Sequence, residues 1–301
     1  MVGSTNVDLV AKVPRLPRPG ESVGGAAYSR VAGGKGANQA VAAVHAGAEV
    51  LFVSCLGNDG FGQESLDNLI REGVDTTYIH RSDEPTGIAI IMVDQDGENA
   101  IAVAPGANHR LYPGDIDEAL PALEQADVVA LQLEIPMDTV MRTLEQCHRL
   151  GKLVMVNPAP VPNIRLPDEF YKHIGILVLN ETETERLTGV PVFGGMELPG
   201  VAARFRKLGA KTVVITLGPK GAYVDGPDFE GFVPPFPVRA VDSTSAGDIF
   251  CGFLAAGLSN GQPLGHAVRF ASAAGAISVT RVGAQPSIPH LDEVLSFMGE
   301  F

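Results

Sequence analysis

The sequence predicts an α/β protein built on a doubly wound, mostly parallel sheet that is flanked by helices. Short runs rich in Val, Ile and Leu recur along the 301 residues, and apolar runs of this length are typical of strands buried on both faces. Helical patterns separate these runs, which places helices on both sides of the sheet. The predicted strands are residues 50–56, 128–133, 153–156, 176–179 and 212–217.

The predicted helices lie between those strands, and several end next to a glycine, as a helix C-terminus often does. They comprise residues 37–46, 63–72, 137–150 and 198–208, with Gly47, Gly73, Gly151 and Gly209 at their ends. The last part of the chain is rich in Ala and Gly and is also predicted to be helical. There Gln262-Pro263 opens a helix that continues to Ser278.

Two segments, about residues 9–32 and 78–105, do not follow this alternation. In the second, the apolar runs 88–93 and 100–103 flank the turn residues Asp96-Gly97, a pattern typical of an antiparallel hairpin. We predict that the two segments form a small β-sheet that covers one edge of the core as a lid. No repeat or linker divides the chain, so all of it, residues 1–301, is predicted to form a single domain.

The composition limits the kinds of partner. Lys and Arg total 22 and Asp and Glu total 35, so the net charge of -13 disfavours a nucleic-acid or anionic-membrane surface, and small-molecule ligands are expected. Cys55, Cys147 and Cys251 form no C-x-x-C pair, which is evidence against a disulfide framework or a thiolate zinc site. No apolar run approaches the roughly 20 residues of a membrane helix, and no signal-peptide core follows Met1. We therefore expect a soluble cytoplasmic protein.

The strongest chemical signal lies in residues 242–248, D-S-T-S-A-G-D, which directly precede an uncharged apolar helix. Small residues at this point leave backbone N–H groups free, and together with the helix dipole such groups bind phosphate. Asp248 in the first turn would share this space with a substrate hydroxyl, an arrangement suited to phosphoryl transfer. The residues alone leave open that Asp242 or Ser243 only caps the helix and that Asp248 is a first-turn acid favoured by the dipole.

A second glycine-rich segment, residues 33–43, reads G-G-K-G-A-N-Q-A-V-A-A and opens a helix. It lacks the G-x-x-x-x-G-K-[ST] pattern, so a Walker-type ATPase is disfavoured, and a tight turn would explain it equally well. The two segments together resemble the two signatures of the ribokinase (PfkB) family of sugar kinases, D-[ST]-x-[GAS]-A-G-D and G-G-K-G-A-N-Q-A-V-A-A. The second signature is matched at every position.

This resemblance implies that Asp248 is the catalytic base and that the backbone of Ser245, Ala246 and Gly247 forms an anion hole. Many family members carry Gly where Ser245 stands. We expect serine to be tolerated there, because an anion hole needs backbone N–H groups and limits only the bulk of the side chain.

The resemblance also implies a sugar site. Asp8 would accept hydrogen bonds from two neighbouring hydroxyls, which favours a diol over a deoxy substituent, although a turn-capping acid is the alternative. Glu134 follows a predicted strand at its carboxyl end, where α/β sheets bind ligands. The implied sugar contacts are Asn6, Asp8, Gly34, Lys35, Gly36, Asn38, Ala89, Ile91, Glu134 and Asp248.

A nucleotide site is implied by two further motifs. Residues 180–183, N-E-T-E, match the family's N-x-x-E motif, whose Glu orders Mg²⁺-bound water, and residues 216–221, T-L-G-P-K-G, resemble its nucleotide loop. A helix cap is the alternative for Asn180 and Glu183. Mg²⁺ would mainly bind ATP oxygens, as this water-retaining ion usually does. The implied ATP contacts are Asn180, Glu183, Thr216, Gly218, Gly221, Gly247 and Ser272.

Residues 281–287 resemble the family segment that holds a monovalent cation together with the loop at Asp242. Carbonyl and carboxylate oxygens suit K⁺, so K⁺ is the expected activating ion. The implied ligands are Asp242, Thr244, Ser278, Arg281, Gly283 and Ser287.

The resemblance covers nearly the whole chain and implies transfer of the γ-phosphoryl group of ATP to O5 of D-ribose, by a homodimer whose lids pair. Alternation along the lid strand would turn Ile88, Ile90 and Met92 away from the sugar. A kinase for another furanose or a nucleoside, and a non-catalytic sugar-binding regulatory protein of the same fold, remain alternatives. Because relatives carry a fuller apolar strand before Gly3, we expect the central strand that presents Asn6 and Asp8 to be shortened.

Overall fold

The computed structural model describes residues 1–25, 27–192 and 197–300, so Ala26 of the predicted lid lies outside the described residues. The strands, in chain order, are β1 (Asn6–Lys12), β2 (Ala27–Gly33), β3 (Leu51–Gly57), β4 (Asp75–Ser82), β5 (Gly87–Val93), β6 (Asn99–Ala104), β7 (Val128–Leu131), β8 (Leu153–Val156), β9 (Ile176–Asn180), β10 (Thr212–Thr216), β11 (Ala222–Asp225) and β12 (Glu230–Val233). The helices are α1 (Lys35–His45), α2 (Gly60–Arg71), α3 (Pro113–Glu118), α4 (Leu120–Gln125), α5 (Met137–Arg149), α6 (Asp168–Lys172), α7 (Glu181–Thr188), α8 (Leu198–Leu208), α9 (Ala246–Ser259), α10 (Leu264–Ser278) and α11 (Leu291–Gly299).

The large sheet confirms the predicted α/β core. Six of its strands lie in the order β12-β11-β10-β9-β8-β7, and β7 to β10 are parallel. Val2 then bridges Leu131 of β7 and Val53 of β3, and β3 pairs in parallel with β4. The chain segment between β7 and β3 is therefore reduced to a single bridging residue, which agrees with the expected shortened strand. We had expected this central segment to present Asn6 and Asp8, and that expectation is wrong. Both residues lie in β1 of the small sheet, because the chain leaves the large sheet before β1 begins.

The small sheet has the strand order β2-β1-β5-β6. The predicted hairpin is present as β5 and β6, which pair antiparallel. The prediction that residues 78–82 belong to the lid is wrong: they lie in β4, whose backbone pairs with β3, and Tyr78 and Ile79 pack against the core. The part of the first lid segment before Ala27 contains β1 but no further strand among its described residues.

Helices cover both faces of the large sheet, as a doubly wound fold requires. One apolar core lies under α1, α9 and α10 and is rich in alanine, whereas the other lies under α5 and α8 and contains Phe170 and Phe205. None of the helices in the described part of the chain is long and apolar enough to cross a membrane.

Close contact between α1 and α9 places the helix ends that matter for the site. Gly252 of α9 lies against α1 so tightly that a Cβ atom there would approach the Cβ of Ala42 to 2.5 Å and the carbonyl oxygen of Gln39 to 2.6 Å. Any side chain at Gly252 would push the helices apart. The glycine therefore brings the first turn of α9 against Asn38 and Gln39.

Candidate active site

The first turn of α9 begins at Ser245, whose backbone has φ 59° and ψ 9°. It is the only non-glycine residue with a positive φ in the described part of the chain. Left-handed backbone costs an L-residue about 1–2 kcal/mol relative to its usual conformation, a cost that glycine avoids. The expectation that this position limits only side-chain bulk is therefore wrong, since the backbone conformation also favours glycine.

Asp248, the predicted base, is buried in the first turn of α9 with 5% of its surface exposed. Its two carboxylate oxygens accept hydrogen bonds from two amides of α1: Nε2 of Gln39 donates to Oδ1 at 3.1 Å, and Nδ2 of Asn38 donates to Oδ2 at 3.3 Å. Nδ2 of Asn38 also donates to Oγ of Ser245 at 3.1 Å. The two signature motifs thus meet at one carboxylate.

A cluster of charges surrounds Lys35 at the start of α1. The Asp248 charge, with further contributions from Glu134 and Glu183, raises the pKa of the Lys35 ammonium despite its burial. Burial raises the pKa of Asp8 to about 6, and the nearby charges of Glu134 and Asp248 act in the same direction while Lys35 opposes them. One ammonium therefore faces several carboxylates in a partly desolvated pocket, where a ligand's hydroxyl groups would find strong acceptors.

Glu134 connects the end of β7 to the glycine-rich turn. Its Oε2 accepts hydrogen bonds from the backbone N–H of Lys35 at 3.0 Å and from the Ser4 hydroxyl. The neighbouring Gly34 and Gly36 leave no room for a side chain. A Cβ at Gly34, where φ is 88°, would lie 2.5 Å from the Asn6 nitrogen, and a Cβ at Gly36 would lie 2.5 Å from the Ser4 nitrogen.

The lid residues predicted to contact sugar share one face of the small sheet. Asp8 is paired with Ala89, and the Val10–Ile91 and Asn6–Gly87 pairs follow the same parallel register. Directly paired residues point to the same side of a sheet, so Ala89 and Ile91 lie on the face that carries Asp8. Ile88, Ile90 and Met92 lie on the opposite face.

Asn108 fixes the junction between the lid and the core, a role that the sequence analysis missed. The Thr5 N–H donates to its Oδ1 at 2.8 Å, and its Nδ2 donates to the Thr5 carbonyl at 3.1 Å and to Oδ1 of Asn6 at 2.8 Å. Asn108 follows β6 in the chain, so its buried amide joins the two ends of the lid at the start of β1.

Two predicted nucleotide residues, Asn180 and Thr216, are direct neighbours at the carboxyl ends of β9 and β10. Gly247 and Ser272 lie elsewhere, on α9 and α10. Asn180 and Glu183 form a reciprocal capping box at the start of α7, so the capping role considered from the sequence is present. Glu183 also accepts from Nδ2 of Asn157 at 3.4 Å, and burial raises its pKa.

The loop after β10 places glycines at the expected positions. Gly218 and Gly221 have φ of 54° and 96°, and a Cβ at Gly221 would approach the Val233 carbonyl oxygen to 2.2 Å. Ser272 lies on α10 with its hydroxyl donating to the Val268 carbonyl at 2.8 Å. No hydrogen bond joins Ser272 to the other predicted nucleotide residues within the described structure.

The predicted cation loops come together through Asp242. Its Oδ1 accepts from the backbone N–H of Thr244 at 2.9 Å, and its Oδ2 accepts from the backbone N–H of Gly283 at 2.8 Å. Burial would raise the pKa of Asp242, but the hydrogen bond from the Thr244 hydroxyl, at 2.6 Å, and the two backbone hydrogen bonds outweigh it and lower the pKa. The Arg281 side chain turns away to pair with Glu293 at 2.6 Å, which leaves its carbonyl as the group available to an ion.

Ser278 and Ser287 are both buried and donate their hydroxyl hydrogens to carbonyls of their own segments, Gly275 and Ala284. Their oxygen lone pairs therefore remain available as acceptors. No group of three or more His, Cys, Asp or Glu side chains is arranged to hold a metal ion among the residues that the structure describes. A cation here would be held mainly by carbonyl and hydroxyl oxygens with the Asp242 carboxylate.

Buried and partly buried amides around Asp248 are the largest set of residues that the sequence analysis missed. Gln39 lies inside the G-G-K-G-A-N-Q-A motif but was given no role, and nothing in the local pattern marks the others. They are Gln39, Gln132, Asn157 and Gln285.

A buried carboxylate at a helix N-terminus, facing a polar pocket under a small lid sheet at the carboxyl edge of an α/β core, defines a small-molecule phosphotransferase. Residues 1–291 match the family described as pfkB family carbohydrate kinase. The chain belongs to this family and is an ATP-dependent carbohydrate kinase with the ribokinase-like fold.

Individual relatives cover almost the full length. The ribokinase of Haemophilus influenzae is 41% identical over 299 residues, which is 99% of this chain and 97% of the relative. The deoxyribokinase of Salmonella typhi is 35% identical over 300 residues, with 99% and 97% covered. The structure of Arabidopsis thaliana ribokinase complexed with ribose and ATP has a TM-score of 0.91 at 33% identity and covers 99% of this chain and 97% of that one.

Proposed function

We propose that the protein transfers the γ-phosphoryl group of ATP to the O5 hydroxyl of D-ribose. The observation that carries the proposal is the Asp248 carboxylate, buried at the start of α9 and held by Asn38 and Gln39 beside the pocket of Asp8, Lys35 and Glu134. Names of relatives support the same reaction, since the Haemophilus influenzae protein is a ribokinase.

Asp8 is the residue that we assign to sugar selection. Its carboxylate is partly desolvated and accepts no hydrogen bond from any described residue, so two adjacent hydroxyls of a sugar would supply its missing donors. A 2-deoxy sugar lacks one of those donors and would leave part of the carboxylate unpaired. Asn6, Lys35, Asn38 and Glu134 would bind the remaining hydroxyls, with Ala89 and Ile91 closing over the ring.

Asp248 would take the proton of the O5 hydroxyl as that oxygen attacks the γ-phosphorus. The backbone N–H groups of Ser245, Ala246 and Gly247 precede or begin α9, so the helix dipole would add to their attraction for the charge that spreads over the transferred phosphoryl oxygens. The Ala246 N–H donates to the Ser243 carbonyl at 3.3 Å, so it would have to exchange this long hydrogen bond for one to the phosphoryl group. Positioning and charge stabilisation are expected to dominate, as in other phosphoryl transfers.

We assign the nucleotide to the carboxyl ends of β9 and β10, with contacts from Asn180, Thr216 and the loop containing Gly218 and Gly221. A Mg²⁺ ion bound to the ATP phosphates would neutralise charge on the transferred group. The partly buried Glu183 carboxylate would hold water of that ion.

K⁺ is assigned to the site between the Asp242 loop and residues 278–287, where the Asp242 carboxylate already ties the two segments together. Its ligands would be Asp242, Thr244, Ser278, Arg281, Gly283 and Ser287. Because Asp242 lies directly before the turn that begins α9, K⁺ would stabilise the anion hole without touching substrate. Rates measured at fixed Mg²⁺ in K⁺, Na⁺ and Li⁺ salts test this assignment, and equal rates in all three would contradict it.

A homodimer formed through the lids is part of the proposal. Tyr28 and Ile90 lie on the face of the small sheet that points away from Asp8, and they are 64% and 46% exposed. A second lid packed on this face would cover both side chains. The cytoplasmic location predicted from the sequence remains a prediction.

The reaction is tested by measuring ADP release across D-ribose, 2-deoxy-D-ribose, D-fructose and adenosine, with the product position assigned by ³¹P NMR. We expect D-ribose to have the highest kcat/KM and the phosphate to be on O5. An Asp248→Asn preparation made in parallel controls for contaminating kinases. A clear preference for 2-deoxy-D-ribose, to which the Salmonella typhi relative points, would assign that sugar instead. Sugar binding without ADP release would favour the regulatory alternative.

A further inference from the structure

Two series of side-chain amides converge on the Asp248 carboxylate. In the first, Nδ2 of Asn68 donates to Oε1 of Gln285 at 2.7 Å, and Nε2 of Gln285 donates to Oδ1 of Asn38 at 3.2 Å. Asn38 then donates to Asp248 at 3.3 Å. We refer to Asn68, Gln285 and Asn38 as the outer amide relay, because it runs from α2 through the loop before α11 to the base.

The second series is the inner amide relay, formed by Gln132 and Gln39. Nε2 of Gln132 donates to Oε1 of Gln39 at 2.6 Å, and Nε2 of Gln39 donates to Asp248 at 3.1 Å. Both glutamines are fully buried, whereas Gln285 is only partly buried. Gln285 can therefore be altered without opening a cavity in the core, whereas Asn38, the last member of the outer relay, is buried.

The direction of every hydrogen bond in the outer relay follows from its last member. An ionised carboxylate only accepts hydrogen bonds, so Asn38 must turn its NH₂ group toward Asp248 and its oxygen toward Gln285. Gln285 must then present its NH₂ group to Asn38 and its oxygen to Asn68. An amide in the relay that turned around would place oxygen against oxygen at one of the contacts, which is unfavourable.

We propose that Gln285 is a positioning residue for the catalytic base, an inference that rests on the proposed function. No described hydrogen bond joins Gln285 to Asp248, but Gln285 holds the Asn38 amide in the orientation that donates both of its hydrogens, one to Asp248 and one to Ser245. Without Gln285, the Asn38 oxygen loses the donor that holds it, and the amide is held only through its hydrogen bonds to Asp248 and Ser245. The shared donor that fixes the relative position of the carboxylate and the start of α9 is then less firmly held.

A graded set of variants in the outer relay tests the proposal. Gln285→Met keeps the length of the side chain but removes the hydrogen bonds, and we expect kcat to fall about 10–100-fold, as losses of supporting hydrogen bonds typically do. Asn68→Ala, one step further from the base, should lower kcat less, and Asn38→Ala should lower it more. The KM for ATP should stay unchanged in Gln285→Met, because the nucleotide loops after β9 and β10 are not part of the relay.

The donor role is tested by Gln285→Glu, which has the same shape but cannot donate to Asn38. We expect its kcat to fall at least as far as that of Gln285→Met. Gln125→Met, at an exposed position at the end of α4, is the matched control and should keep the wild-type kcat. Circular dichroism of each variant gives the folded fraction by which kcat is normalised.

Because Gln285 lies between the assigned K⁺ ligands Gly283 and Ser287, each rate is measured over a series of K⁺ concentrations up to saturation. A loss of kcat that persists at saturating K⁺ supports the positioning role. Full recovery of Gln285→Met at high K⁺, or wild-type kcat in Gln285→Glu, would overturn it. Failure of the proposed function is a separate result, since wild-type protein would then not phosphorylate D-ribose at all.

Discussion

Asp8 on the lid and Asp248 on the core face the same pocket, but their surroundings are opposite. Asp248 accepts hydrogen bonds from Asn38 and Gln39, and each of those amides is itself held by another amide. No described residue donates a hydrogen bond to the Asp8 carboxylate, and burial raises its pKa to about 6. The protein therefore orients the carboxylate that reacts and leaves unpaired the carboxylate that binds.

This difference indicates that the core carboxylate serves catalysis and the lid carboxylate serves sugar binding. A base must point at one proton, so its position is determined by the core before the substrate arrives. A carboxylate that binds a ligand contributes most to affinity when the ligand donates hydrogen bonds that no protein group already donates. The lid that carries Asp8 is held to the core at its junction, where Asn108 binds Thr5 and Asn6, and by the ion pair between Arg30 of β2 and Glu64 of α2 at 3.0 Å.

The largest effect is expected for Asp248→Asn. The amide cannot take the proton of the sugar hydroxyl, so kcat should fall about 10²–10⁴-fold, the usual contribution of a general base. Rapid-quench single-turnover measurements separate this chemical step from product release. Retention of more than about a tenth of the wild-type rate would show that Asp248 is not the base.

For Asp8→Asn we expect a smaller effect, on the KM for D-ribose instead of on kcat. The variant loses charge-assisted hydrogen bonds to the sugar, worth about 1.5–3 kcal/mol each, so the KM for D-ribose should rise about a hundredfold while kcat changes less. Steady-state kinetics at saturating ATP measure both constants. A fall in kcat with an unchanged KM would reverse the roles that we assign to the two carboxylates.

The same variant should be more stable than the wild type. The folded protein holds the Asp8 proton up to a pKa of about 6, above the ordinary value of 3.8, so ionised Asp8 destabilises the fold once the pH exceeds both values. Asp8→Asn should therefore gain roughly 1–3 kcal/mol in free energy of unfolding at pH 8. The gain should disappear below about pH 4, which urea titrations at both pH values can measure.

The pH dependence of the KM for D-ribose tests separately whether Asp8 is the carboxylate that binds the sugar. Since protonated Asp8 accepts fewer hydrogen bonds, the KM for D-ribose should rise by up to about tenfold per pH unit as the pH falls below about 6. The KM of Asp8→Asn should not show this rise. Parallel pH profiles of wild type and variant test the point, and a rise of equal size in both would assign it to another group.

The smallest effect on chemistry is expected from Ile90→Asp on the outer face of the lid. The charge should break the proposed lid dimer but leave Asp248 and its amides in place, so kcat should change far less than in Asp248→Asn. Light scattering gives the mass of both proteins. A monomeric and fully active wild type at micromolar concentration would contradict the lid dimer.

The core was predictable from the sequence because its signals are local. The strand Leu153–Val156 and the helix Leu198–Leu208 have the predicted bounds. A continuous apolar run marks the strand, and helical periodicity with Gly209 at the end marks the helix. The assignment of residues 78–82 to the lid was wrong, because only the tertiary pairing with β3 shows which sheet they join.

The structure brings the predicted sugar residues Asp8, Lys35 and Glu134 close to Asp248, but the amides that support this carboxylate were not predictable. Gln285 lies 247 residues from Asn38 in the sequence, and no local pattern marks that hydrogen bond. The left-handed backbone of Ser245 was also missed, because serine gives no sign of it.

The central claim, that Asp8 binds the sugar and Asp248 reacts with it, is tested most directly by titration calorimetry of D-ribose with the two variants. A non-hydrolysable ATP analogue and Mg²⁺ should be present throughout. We expect Asp248→Asn to bind D-ribose at most about tenfold more weakly than wild type, a difference of about 1.4 kcal/mol, and Asp8→Asn to bind it far more weakly than that. Equal losses of affinity in the two variants, or intact binding in Asp8→Asn, would contradict the account.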